Sequence, residues 1–398
     1  MFPTLSELFA YLFHIHVGIP IETLGLFMAL AFVVTYMTYV SEFKRKEKQG
    51  LVHPFKRKVI IGEPASVAEL LINGLLGFLF GYKIIGLIID YRHFITDPKK
   101  YIFSLQGSLI VGLIFGTGWT AWAWYSRKKE QLPKPKVIEE TVHPYQIMVK
   151  VTFWAGLIGF AGAKLFDMVE HWHVFLTNPL GTIFSSTGFT YYGGFLFGML
   201  TFFYIGVKSG MKLAHVSDTG APGIMLAYGV GRIGCELSGD GDWGIVNIHP
   251  KPGWLHWLPD WMWSFNYPNN AVNIGRYISG CAGQYCHILP QKVYPTSFYE
   301  SVICIGLFGL MWAIRKKVNI GGFMSFLYLI LIGIERFFIE FIKVNIRYNI
   351  FGAALTQAQV ISILEFLIGA GGMIYILMRR HRKKLPRSAN KLYYFCYY

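Results

Sequence analysis

Long apolar runs separated by short basic stretches dominate this sequence, and they limit the folds open to it. The runs lie near 19–40, 66–90, 105–125, 148–170, 189–207, 219–236, 298–314, 322–342 and 355–378. Each is close to the roughly 20 residues that a helix needs to cross the hydrocarbon core of a bilayer. Only 15% of the residues are charged, well below the roughly 25% typical of soluble domains. The sequence therefore predicts an all-α polytopic membrane protein, one membrane domain over 1–398 with about nine transmembrane helices.

The basic residues predict how the chain is oriented. Lys and Arg concentrate after the odd-numbered runs, as in Lys44–Lys48, Arg127–Lys136, Arg315–Lys317 and Arg379–Lys391. The positive-inside rule then puts the N-terminus outside and the C-terminal tail, 379–398, in the cytoplasm. No basic n-region or small-residue cleavage site precedes the first run, so we predict no cleavable signal peptide. The net charge of +15 lies in these loops and not along one stripe with interleaved aromatics, which argues against nucleic-acid binding.

An internal repeat occupies part of the N-terminal half. Residues 81–112 align without gaps to 162–193 with ten identities, among them Lys83 with Lys164. Each copy corresponds to a span, an external connection and the start of a returning span. Both copies run in the same direction relative to the membrane, unlike the inverted repeats of many transporters. We predict that 65–126 is a duplicated, inserted helical hairpin.

Ionisable residues inside the apolar runs point to a functional site, because they are costly in lipid. Arg232 lies near the end of the sixth run among several glycines, and the polar, glycine-rich segment 235–244 follows it. Arg336 and Glu340 lie in the eighth run, four residues apart, and share one helix face. The structural alternative for that pair is a self-neutralised ion pair that lets the helix insert.

Two further motifs place polar groups on the same side of the predicted membrane. Glu300 lies one turn inside the seventh run, after the helix-start signal at Pro295. Tyr192, followed by two glycines, opens the fifth run, where close helix packing is the alternative. Arginine suits phosphate because its planar guanidinium donates two parallel hydrogen bonds. The residues therefore predict a site for an anionic lipid headgroup at the outer leaflet, in an enzyme, a flippase or a structural protein.

The order and spacing of these motifs resemble the bacterial prolipoprotein diacylglyceryl transferase family. The matching segments are Gly231-Arg-Ile-Gly234 with the Ser-Gly and Trp-Gly that follow, Pro295-Thr-Ser-Phe-Tyr-Glu300, Arg336-Phe-Phe-Ile-Glu-Phe341, Tyr192-Gly-Gly194, and Asp218 ahead of the arginine run. The resemblance covers roughly 150–378 and the first run. It implies a seven-helix core in the bacterial inner membrane, to which the hairpin 65–126 is added.

The resemblance also implies an activity. Family members transfer the diacylglyceryl group of phosphatidylglycerol to the lipobox cysteine thiol in the signal peptide of a prolipoprotein, releasing glycerol phosphate without a cofactor or metal. The implied catalytic residues are Arg232, Arg336, Glu340, Tyr192 and Asp240. The implied substrate-binding residues are Arg232, Asp218, Gly193, Gly194, Gly234, Ser238, Gly239, Tyr299 and Glu300. Arg232 would hold the phosphate, and Arg336, oriented by Glu340, would stabilise the departing charge.

Two departures from the family pattern affect the expected site. Many members have His where this chain has Tyr192, and a tyrosine with a pKa near 10 is a poorer base. Tyr192 therefore either orients the lipid or acts as the base only if the arginines assist it. The segment from Arg232 to Trp243 is one residue longer than usual. The family's acidic residue there is Asp240 or Asp242, and we favour Asp240.

The long loop 237–297 carries five tryptophans, which favour the membrane–water boundary. It predicts a small periplasmic head. Cys281 and Cys286 in this loop either pair in an oxidising compartment or stay free thiols. With His287 they form a weak metal candidate, but no second ligand pair follows at zinc-site spacing, so we predict no metal.

Functions from two other classes stay open. An anionic-phospholipid transporter or flippase would need charged residues at several depths, and Lys83 and Lys164 are the exceptions to a one-sided distribution. A non-catalytic, lipid-binding membrane protein would keep the arginines but would lack the transfer activity.

Overall fold

The computed structural model describes residues 1–15, 21–85, 106–183, 185, 188, 190–350 and 352–384. Most of them are helical. The helices are α1 (Leu5–Phe13), α2 (Thr23–Lys48), α3 (Val67–Leu79, continued by a π-helical turn over Phe80–Ile85), α4 (Leu109–Glu130), α5 (Met148–Glu170), α6 (Trp172–Thr177), α7 (Pro179–Ile183), α8 (Tyr191–Lys208), α9 (Leu213–Ser238), α10 (Thr296–Ile314), α11 (Phe323–Ile339) and α12 (Gln357–Lys384).

Five of the described helices are long and apolar enough to cross a membrane. They are Thr23–Lys48, Val67–Ile85, Met148–Glu170, Thr296–Ile314 and Gln357–Arg382. Tyr192–Lys208 is apolar but shorter. The predicted class, a mostly helical membrane protein, is confirmed. The described parts of the predicted apolar runs fall mainly on helices, while 19–20, 86–90, 105 and 189 of these runs lie outside the described residues. The total of nine spans and the orientation of the termini stay predictions.

Three small antiparallel sheets were not expected in an all-α fold. They pair β1 (Phe55–Ile61) with β2 (Lys136–Val142), β3 (Arg276–Tyr277) with β4 (His287–Ile288), and β5 (Arg347–Ile350) with β6 (Ala353–Thr356). The first sheet runs from Phe55 opposite Val142 to Ile61 opposite Lys136. It therefore brings together the chain on either side of α3 and α4. Closely spaced ends are typical of insertions, but the insertion of 65–126, of which 86–105 lie outside the described residues, stays a prediction.

The chain divides into two compact units. Met1–Ile15, Glu22–Val52 and Ile205–Tyr398 form the first unit, and His16–Ile21 with His53–Tyr204 form the second.

In the second unit, the two lysines related by the repeat make similar contacts. Lys83 Nζ donates to the backbone oxygen of Gln106 at 2.8 Å. Lys164 Nζ donates to Ser185 Oγ at 2.7 Å and to the Ser185 backbone oxygen at 3.3 Å. Each lysine thus binds the connection that follows its own helix. The duplication itself stays a prediction.

In the first unit, α9 packs closely against its neighbours through glycine. A Cβ added to Gly234 would lie 2.7 Å from Phe27 Cβ of α2. One added to Gly229 would lie 3.2 Å from the backbone nitrogen of Ile305 in α10. Small residues of this kind let helix backbones approach where lipid gives no hydrophobic driving force. The helix ends at Gly239, whose φ of +64° is the left-handed conformation that favours glycine.

A buried polar cluster joins the other end of α9 to α2 and α11. Asp218, 4% exposed, accepts hydrogen bonds from the backbone nitrogens of Gly322 at 2.8 Å and Ser325 at 3.1 Å. These nitrogens belong to the first turn of α11, which has no intrahelical acceptors for them. Lys46 Nζ lies 3.8 Å from Asp218 Oδ2 and balances its charge. The cluster ties three helices together.

The segment 237–297 has a small core of its own. Tyr267 is 1% exposed and packs with Leu289, Val293 and Trp243. Its hydroxyl donates to Glu236 Oε2 of α9 at 2.8 Å. Burial, and next the Glu236 carboxylate, raise the pKa of the Tyr267 hydroxyl. Cys281 and Cys286 form a disulfide, which answers the question that the sequence left open. The position of this segment outside the membrane stays a prediction.

The cap on α11 predicts a large loss of stability for Asp218→Ala. The substitution leaves the Lys46 ammonium buried without its carboxylate, and we expect the free energy of unfolding to fall by about 3 kcal/mol. A drop in the melting temperature of the detergent-solubilised protein measures it. The matched control is Asp260→Ala, which removes an 84% exposed partner of Lys251 and should change little. Equal melting temperatures for the two variants would contradict the structural role of Asp218.

Candidate functional site

Glu300 lies at the centre of a cluster of charged side chains in the first unit. It is fully buried and follows the first turn of α10. Glu300 Oε2 lies 3.1 Å from Arg232 Nε and 3.1 Å from Lys343 Nζ. Glu300 Oε1 lies 3.4 Å from Arg336 Nη1 and accepts a hydrogen bond from Tyr228 Oη at 2.9 Å. One carboxylate therefore contacts three cations.

The cluster forms because α9 and α11 both end beside the start of α10. Arg232 comes from the last turns of α9, and Arg336 from the last turn of α11. Backbone hydrogen bonds hold these ends together: Gly244 N donates to Tyr294 O, and Ile245 N donates to Ile342 O, each at 2.8 Å. The arginines thus reach Glu300 from two different helices.

Tyr228 links the two guanidinium groups. Its hydroxyl accepts hydrogen bonds from Arg232 Nη2 at 2.9 Å and from Arg336 Nη1 at 2.5 Å. The same hydroxyl donates a hydrogen bond to Glu300. This arrangement uses the one donor and both lone pairs of the hydroxyl. The ring centroid also lies 4.8 Å from Arg232 Cζ and 5.8 Å from Arg336 Cζ, within reach of cation–π attraction. The sequence reasoning missed Tyr228, although its i,i+4 spacing to Arg232 was a signal.

Asp242 occupies the most exposed position in the cluster. It forms an ion pair with Arg232, and its Oδ1 accepts from Lys343 Nζ at 2.9 Å. Its side chain is 33% exposed, against 16% for Arg232 and 19% for Arg336. Asp240, which the sequence reasoning favoured, instead accepts from the backbone nitrogen of Asp242 at 3.2 Å. The structure therefore brings Asp242 to Arg232, and Asp240 supports the turn.

Lys343 was also missed by the sequence reasoning. It comes directly after the 3₁₀ turn Glu340–Ile342 that follows α11. Burial lowers the pKa of its ammonium from the ordinary value, and Glu300 opposes that shift. The sequence did carry one signal for Lys343: it is a basic residue at the end of a span on the side of the membrane where the predicted topology has few basic residues. With Lys343, three cations face two carboxylates, so the cluster has one positive charge in excess and is suited to an anion.

The remaining predicted site residues of this unit make contacts of their own outside the ion pairs of the cluster. Glu340 is 1% exposed and accepts a hydrogen bond from Asn345. Ser238 Oγ donates to the Gly234 backbone oxygen at 2.8 Å, and Tyr299 Oη donates to the Trp263 backbone oxygen at 3.3 Å. Gly234 and Gly239 shape α9 as described above. Asp218 lies fourteen residues before Arg232, about 21 Å along the helix, and is not part of the cluster.

Tyr192, Gly193 and Gly194 belong to the second unit, at the start of α8. A Cβ added to Gly193 would lie 2.4 Å from the Gly162 backbone oxygen, and one added to Gly194 would lie 3.3 Å from Ala163 Cβ. Both glycines therefore allow α8 to pack on α5, the alternative considered from the sequence. The role of Tyr192 in catalysis stays a prediction.

The bridging hydroxyl predicts a selective effect of Tyr228→Phe. The ring remains beneath the guanidinium groups, but the hydrogen bonds that align them on Glu300 are lost. We expect phosphate-headgroup binding to weaken about tenfold, because hydrogen bonds to charged groups contribute roughly 1.5–3 kcal/mol. Tyr375→Phe, 61% exposed on α12, is the control. Equal binding by both variants would mean that the hydroxyl does not position the arginines.

Comparison with known proteins gives one consistent result. A sequence profile of the prolipoprotein diacylglyceryl transferase family matches residues 103–375, a range that contains every member of the cluster. The chain is 28% identical to the phosphatidylglycerol–prolipoprotein diacylglyceryl transferase of Staphylococcus carnosus (strain TM300), over 60% of this chain and 78% of the relative. Proteins of the same name from Dehalococcoides mccartyi (strain CBDB1) and Staphylococcus xylosus are 28% and 26% identical, over 56% and 60% of this chain and 74% and 77% of theirs.

Proposed function

The chain belongs to the prolipoprotein diacylglyceryl transferase family, and we propose that it transfers the diacylglyceryl group of phosphatidylglycerol to the lipobox cysteine thiol of a prolipoprotein. It is a membrane transferase of lipoprotein biosynthesis. The observation that carries the proposal is the cluster around Glu300, where guanidinium groups from two helices meet with one positive charge in excess. Glycerol phosphate is the second product.

Arg232 and Arg336 are the proposed phosphate ligands. Their side chains are 16% and 19% exposed while Glu300 is fully buried, so each guanidinium has an accessible part. A phosphodiester can accept paired hydrogen bonds from such groups. The phosphate would compete with the partly exposed Asp242 for Arg232. Away from water, this attraction is stronger than on a protein surface.

The proposed reaction forms one bond and breaks one. The cysteine thiolate attacks the glyceryl carbon that carries the phosphate ester, so a C–S bond forms while the C–O bond breaks. The electron pair of the broken bond goes to the departing glycerol phosphate, where Arg232 and Arg336 stabilise the charge. The thiol must lose its proton before the attack. Many family members have a His base at the position of Tyr192, and in this chain Tyr192 either takes the proton with help from the arginines or orients the lipid.

The proposed location is the bacterial inner membrane, with the N-terminus and the cluster on the outer side and the C-terminus in the cytoplasm. The distribution of basic residues supports this orientation. The proposed partners are phosphatidylglycerol, the prolipoprotein signal peptide and the bilayer itself. The rival flippase is disfavoured because Lys83 and Lys164, the exceptions to the one-sided charge distribution in the sequence, bind nearby backbone.

The direct test is an assay with the purified protein, phosphatidylglycerol and a lipobox peptide. We expect the peptide to gain the mass of a diacylglyceryl group as glycerol phosphate is released. Arg232→Lys should lower kcat/KM about 100-fold, since a lysine cannot donate paired hydrogen bonds to the phosphate. Arg347→Lys, on the exposed strand β5, is the control. A folded wild-type protein that binds the lipid but never modifies the peptide would support the non-catalytic alternative.

Tyr192→Phe tests the proton acceptor. If Tyr192 takes the thiol proton, kcat should fall at least about 100-fold at neutral pH with little change in KM. Tyr204→Phe on the same helix, 63% exposed, controls for loss of a hydroxyl. A Tyr192→Phe variant with a normal rate and pH profile would reassign this residue to packing.

A further inference from the structure

An apolar groove lies between α10 and α11, in the first unit. Its volume is about 380 Å³. The lining includes Ile303 and Leu307 of α10, and Leu331, Ile334 and Phe338 of α11. Ile303 and Ile334 are each 42% exposed and Phe338 is 65% exposed. The groove is therefore open at the surface of this unit.

One polar side chain lines this groove. Glu335 is 6% exposed, and within the described part of the chain neither carboxyl oxygen has a hydrogen-bond partner. Leaving a polar group buried and unpaired is costly, and such groups in native proteins usually have a partner. The unpaired carboxyl thus indicates a ligand with a polar atom at this depth.

The groove lies beside the cluster around Glu300, because Glu335 in its lining is close enough to interact electrostatically with Glu300 and Arg336. Its lining extends from Leu331 of α11 to Ile342 in the 3₁₀ turn that follows this helix. Ile342 directly precedes Lys343, and Glu335 directly precedes Arg336. One end of a ligand in the groove would therefore lie beside the proposed phosphate ligands, near Arg336.

We propose that this groove holds one acyl chain of the diacylglyceryl donor and that Glu335 hydrogen-bonds the ester carbonyl of that chain. The proposal rests on the proposed function. A carboxyl group in its protonated form has the O–H needed to donate to a carbonyl oxygen. A glycerophospholipid carries its esters a few atoms from its phosphate, matching the adjacency of Glu335 and Arg336.

Filling the lower part of the groove tests the acyl chain. Leu307→Trp should raise KM for dipalmitoyl phosphatidylglycerol about tenfold and leave KM for the dihexanoyl lipid unchanged, because a short chain ends above the new side chain. Leu310→Trp, 47% exposed on the same helix and outside the lining, is the matched control. Equal effects of the two variants on both lipids would overturn the proposal.

Glu335 is tested with donors that differ at the ester. Glu335→Leu should raise KM for a diester phosphatidylglycerol about fivefold, the effect of one hydrogen bond, and should leave a diether analogue unaffected. Glu335→Gln keeps a donor group and should resemble the wild type. An equal loss with both donors, or a fall in kcat for Glu335→Gln at constant KM, would overturn the hydrogen bond to the ester.

The outcomes separate this proposal from the function on which it rests. If the wild type transfers the lipid and the chain-length and ester effects are missing, only the groove proposal fails. If the wild type transfers nothing, the proposed function fails. Native mass spectrometry of retained dipalmitoyl phosphatidylglycerol then still tests the groove. Less retained lipid with Leu307→Trp than with Leu310→Trp supports it, and equal retention overturns it.

Discussion

The buried carboxylate of Glu300 is the group on which the site depends. It contacts Arg232, Lys343 and Arg336 within 3.1–3.4 Å. Three cations could not be buried together without such a partner, because unpaired buried charge is strongly destabilising. The cluster still keeps one positive charge in excess, so it can be stable without substrate and attract an anion.

The rest of the first unit positions this cluster. Close packing at Gly229 and Gly234 sets α9 against α10 and α2. Asp218 fixes the start of α11 from the far end of α9. Backbone pairing of Gly244 and Ile245 joins the ends of the helices. A charged site at a helix end needs this support, because a small shift would separate the guanidinium groups from their acceptors.

The apolar runs predicted where the helices lie, and costly charges within them identified Arg232, Arg336 and Glu300. The choice between Asp240 and Asp242 could not be made in the same way. It depends on the turn that follows α9, where Gly239 and Gly241 have φ values of +64° and +101° and direct Asp242 toward Arg232. The place of Lys343 in the cluster was not predicted for a similar reason, because local sequence patterns do not record contacts between distant segments. The short, exposed strands β1 and β2 have too little apolar alternation to stand out.

The central claim is that Glu300 serves to position the cations and not simply to reduce their charge. It is tested most directly by the dissociation constant of glycerol phosphate for the wild type and Glu300→Gln, measured by titration calorimetry. If net charge alone governed binding, removing a negative charge would tighten it. The positioning account predicts binding at least about tenfold weaker, because the guanidinium groups lose the acceptor that aligns them. Equal or tighter binding by a correctly folded Glu300→Gln variant would contradict it.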